Sequence, residues 1–66
     1  MNTPDIEELR KKLAQYRSQA EYFFSKAATE TCPDAKAELR RVAETWCQLA
    51  VGAETLIREM EKAKNG

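Results

Sequence analysis

Side chains able to carry out acid–base, nucleophilic or metal chemistry are few in this 66-residue chain: two cysteines, Cys32 and Cys47, eleven acids and no histidine. Without histidine the chain lacks a general base that titrates near neutral pH, and it lacks a helical phosphotransfer site. The cysteines form no CxxC-like pair, so no zinc set can be drawn. The Glu-x-x-His signature of carboxylate-bridged di-iron bundles is absent too. Glu30 is the one acid that falls on a predicted apolar seam, at its frayed end. These residues predict a non-catalytic chain with no cofactor and no metal.

The charges lead to the same class. Eleven basic and eleven acidic residues give a formal net charge of zero, so there is no general attraction for nucleic acid or anionic lipid. Arg10-Lys11-Lys12 with Arg17, and Arg40-Arg41, are the basic clusters. Consecutive residues fan around a helix, and Glu7, Glu8 and Glu38 sit beside them, so a solvated face is the simplest reading. A small regulator binding nucleic acid through these clusters is the alternative, and salt-dependent affinity would be its signature. No apolar run approaches spanning length, and Met1 opens into a helix start signal and not the basic–apolar–small order of a signal peptide. The expected setting is cytoplasmic and reducing, with both thiols unpaired.

Two start signals divide the chain into two elements. Thr3-Pro4-Asp5 reads as N-cap, first-turn proline and acid; Cys32-Pro33-Asp34 repeats it, with Thr31 or Cys32 as the cap. Proline disfavours the α conformation at Cys32, which ends the first helix just before it. Asn65-Gly66 is the expected C-terminal stop. The reading is a single domain over 1–66, with helix 1 at about 4–30, a turn at 31–33 and helix 2 at about 33–64. On a continuous second helix the two cysteines stand about 22 Å apart, which excludes a bridge between them.

Apolar residues in each helix recur at alternating steps of three and four. The expected hairpin core is Leu9, Leu13, Tyr16, Ala20 and Phe23 from helix 1 against Leu39, Val42, Trp46, Leu49, Ala53 and Leu56 from helix 2. The short turn makes the helices antiparallel. Facing numbers should then sum to 65–66, placing Ala20 opposite Trp46. Tyr22, a step of 100° from Phe23, should be exposed. Gly52 in mid-helix costs roughly 1 kcal/mol relative to Ala, so it is a candidate for close helix approach. A further flank of small and apolar residues, Phe24, Ala43, Cys47, Ala50 and Ile57, exceeds what one partner helix can cover and is the expected self-association surface.

At Tyr16-Arg17…Ala20-Glu21 and Cys32-Pro33…Leu39…Ala43-Glu44-x-Trp46-x-x-Leu49-Ala50 the chain resembles a group of small uncharacterised proteobacterial proteins with an A-E-x-W-x-x-L-A phrase. The resemblance covers about residues 16–54 and implies a helical hairpin with no assigned activity. Cys32 stands where an aspartate cap is commoner in that group. Asp5–Leu13 has a superficial likeness to the opening helix of the all-helical chorismate mutases, but the rest of that three-helix pattern is missing.

At 66 residues one hydrophobic core is marginal, and neither metal nor disulfide is on offer to reinforce it. The sequence therefore predicts an all-α antiparallel two-helix hairpin, a helical coiled coil that dimerises into a four-helix bundle. Its partners are expected to be itself, as a homodimer or higher bundle, or another helical protein, with no membrane.

Overall fold

Two helices account for the fold in the computed structural model, which describes residues 5–65. Helix α1 spans Ile6–Thr29 and α2 spans Pro33–Asn65. They lie side by side as a hairpin measuring 50 × 17 × 17 Å, its long dimension matching the roughly 50 Å expected of 33 helical residues. The Thr3-Pro4 signal and Gly66 lie outside the described residues. Within them, α1 starts one residue past Asp5, whose carbonyl accepts the Leu9 N–H at 3.1 Å. Glu7 and Glu8 occupy its first turn and Lys26 its last, each favourable to the helix dipole.

The turn is short and closed by local hydrogen bonds. Glu30 leaves the helix in an extended conformation, with its N–H bonded to the Ala27 carbonyl at 3.3 Å. Its carboxylate then accepts the Cys32 N–H at 3.3 Å. The Cys32 carbonyl receives the Lys36 N–H at 2.9 Å, so Cys32, and not Thr31, occupies the cap position ahead of Pro33. That proline needs no N–H partner in a first turn.

Alanine dominates the contact between the helices. Among the described residues Leu9, Ala20, Ala27, Ala43, Ala50, Ala53 and Ile57 are buried, and five of these seven are alanine. Leu13, Tyr16, Phe23, Leu39 and Trp46 are half-buried around them. Small side chains at a helix contact let the two backbones approach closely, and larger ones are displaced to the edges.

This arrangement corrects the expected core on one helix. The contributions of α1 lie where its spacing puts them, as do Leu39, Trp46 and Ala53 of α2. Val42, Leu49 and Leu56, however, are 40%, 45% and 46% exposed, whereas Ala43 has no exposure at all. Residues 39, 46 and 53 form a row shared by two candidate seams, one completed by 42, 49 and 56 and the other by 43, 50 and 57. The hairpin uses the second. Relative to the expected seam α2 is turned by roughly 50°, half of one residue step.

Cross-helix pairs lie to either side of the expected register. Arg10 pairs with Glu61 and Arg17 with Glu54, one heptad apart on both helices, while Leu13 lines a groove with Ile57 and Ala20 one with Ala50. Ala20 thus meets the alanine row, and Trp46 packs beside Tyr16, with ring centroids 5.9 Å apart. Gly52 marks no close approach within the hairpin: a Cβ built there meets nothing within 4 Å.

Two substitutions test this packing by thermal or denaturant unfolding. Ala20→Trp forces a large ring into the alanine seam and should destabilise by about 1–3 kcal/mol. Gly52→Ala removes a helix-weakening residue at an open position and should stabilise by up to about 1 kcal/mol.

Candidate interaction surface

The two long flanks of the hairpin differ in chemistry. On one flank, charged side chains fence the seam: Arg10 with Glu61 and Arg17 with Glu54 cross between the helices. Between Arg17 and the turn this flank opens into a groove of about 300 Å³ lined by Ala20, Glu21, Phe24, Cys47, Ala50 and Val51. Phe24 and Val51 are exposed large apolar residues, and Cys47 is exposed with a free thiol.

The other flank is apolar along α2. Val42, Leu49 and Leu56 repeat every seven residues and form a stripe about 21 Å long. The half-buried Trp46 and Met60 border it on the α1 side. Tyr16 continues the apolar area onto α1, and Trp46 shares a cavity there with Tyr16, Ser18 and Gln19. Beyond the stripe lies a polar row of Glu38, Thr45, Gly52 and Glu59. Thr45 and Thr55 close their hydroxyls onto carbonyls one turn back, Arg41 at 3.1 Å and Val51 at 3.0 Å, so neither seeks a partner.

Sequence reasoning placed the association surface on the first flank, and the structure divides that set. Phe24 and Cys47 are exposed there, but Ala43, Ala50 and Ile57 are buried against α1 and form the hairpin itself. The exposed large apolar side chains at matching heptad positions are those assigned to the core: Val42, Leu49 and Leu56. Their heptad spacing was visible in the sequence. Nothing in that spacing says which of two adjacent rows turns inward.

Tyr22 is exposed, as its position predicts; it meets Phe23 edge-on at 5.1 Å and lies under the Lys26 ammonium at 5.6 Å. Of the basic clusters, Arg10, Arg17 and Arg41 are engaged by Glu61, Glu54 and Glu38, the last pair at 3.2 Å within one helix. Among the described residues no helix is long and apolar enough to cross a membrane.

The chain matches no family model, curated protein or solved structure. The functional reading therefore rests on the geometry of this surface.

The cross-helix ion pairs are exposed, and exposed pairs contribute little because solvent and salt screen them. A double-mutant cycle on Arg17→Ala and Glu54→Ala should give a coupling energy below about 1 kcal/mol. A coupling of several kcal/mol would mean that these charges, and not the alanine seam, hold the hairpin closed.

Proposed function

We propose that this chain is a non-catalytic helical interaction module that associates with itself, two hairpins closing into a four-helix bundle. One observation carries the reading: the stripe of Val42, Leu49 and Leu56, exposed at heptad spacing on the flank of a closed hairpin. Removing a Val or Leu side chain from water is worth roughly 1.5–3 kcal/mol when complete, and these side chains still present nearly half their area. The hairpin has little interior of its own to offset that exposure, since no large side chain among the described residues is fully buried. A second apolar stripe covering the first would supply the missing interior.

The cytoplasmic setting belongs to the same proposal and accords with two free, exposed thiols. The competing nucleic-acid reading draws less support, because three arginines of its basic clusters are engaged by glutamates and the net charge is zero.

Sedimentation tests the reading directly. Wild type at tens of micromolar should run as a dimer or larger. Leu49→Glu sets an unpaired charge in the middle of the stripe, which burial strongly disfavours, and should leave monomer. Residue 49 is exposed in the hairpin, so helical circular dichroism should survive that change if the hairpin is stable alone. A wild type that is monomeric and fully helical at these concentrations would overturn the proposal.

A further inference from the structure

The outward stripe is symmetric about Leu49, which lies seven residues from both Val42 and Leu56. A second α2 turned end for end about a two-fold axis at Leu49 therefore lays the stripe on itself. Residue n of one copy then comes level with residue 98 − n of the other. Leu49 meets Leu49, and Val42 meets Leu56.

The charges beyond the stripe favour end-for-end docking. End-for-end docking brings Arg41 within two positions of the other copy's Glu59, and Lys62 within two of its Glu38. Parallel overlay would set each of these four charges level with its own kind, which is unfavourable for like charges at an interface.

We propose that the occupant of the stripe is a second copy of this chain docked antiparallel along α2, with Leu49 against Leu49 and Val42 against Leu56 of the other copy. This rests on the self-association proposed above and adds its orientation and register. An isologous contact of this kind closes on itself and stops at two chains.

Spin labels read the orientation. In a Cys32→Ser, Cys47→Ser background, Glu38→Cys and Glu59→Cys each place a label on the exposed edge of the stripe, and Gln48→Cys places one beside the axis. Antiparallel docking should hold two labels at position 38, or two at 59, roughly 30 Å apart. A mixture of the 38-labelled and 59-labelled chains should give a distance below about 20 Å, since packed helix axes lie about 10 Å apart. The 48 label should give a short distance and so confirm that labelled chains still pair. Short distances at both 38 and 59 would overturn the antiparallel docking while leaving self-association intact. Long distances at 38, at 59 and for the mixed pair alike would overturn the contact between the two α2 helices. Chains that sediment as monomers before labelling would overturn both this inference and the self-association on which it rests.

Discussion

Two helices can approach closely only where neither puts a large side chain at the point of contact. In this chain Ala20 and Ala27 on α1 meet the side of α2 that carries Ala43, Ala50 and Ala53, and most other features follow from that meeting. The close approach determines which row of α2 turns inward and pushes Tyr16, Phe23 and Trp46 to the margins. Val42, Leu49 and Leu56 are left outside. It also accounts for the modest role of the ion pairs: Arg10–Glu61 and Arg17–Glu54 bridge a gap that the alanines have already made narrow. A seam of leucines would have buried more area but held the backbones further apart.

Much of this fold was legible in the residues. The Cys32-Pro33-Asp34 start signal, the unbroken run of helix formers and the three–four spacing of apolar positions point to two helices. They also predict the antiparallel turn. The inward face of α1 could be read because a single apolar row dominates there. On α2 the row 39, 46 and 53 serves two neighbouring seams equally well. Hydrophobic periodicity reports how wide an apolar stripe is, and it does not report which edge meets which neighbour. That choice depends on how closely two backbones can pack, a property of both helices together. The consequence for the candidate surface was an exchange: Val42, Leu49 and Leu56 moved out of the expected core, and Ala43, Ala50 and Ile57 moved in.

The hairpin thereby acquires two unlike sides. One presents arginine–glutamate pairs and a short groove at Phe24 and Cys47, and the other a continuous aliphatic stripe bordered by an aromatic pair. Specificity in helical bundles commonly comes from such asymmetry and not from any one strong contact.

An interior made of methyl groups also shapes how stability responds to temperature. The heat capacity of unfolding grows with the apolar area that unfolding exposes, and a seam of alanines exposes little per residue. A lone hairpin of this kind has a broad, shallow stability curve, losing its structure gradually on warming and retaining it well in the cold. Covering Val42, Leu49 and Leu56 would add the aliphatic burial that the seam lacks, and with it the curvature and sharp melting of a larger domain. In the proposed dimer the cooperativity of this small protein would be set by the outward face of α2.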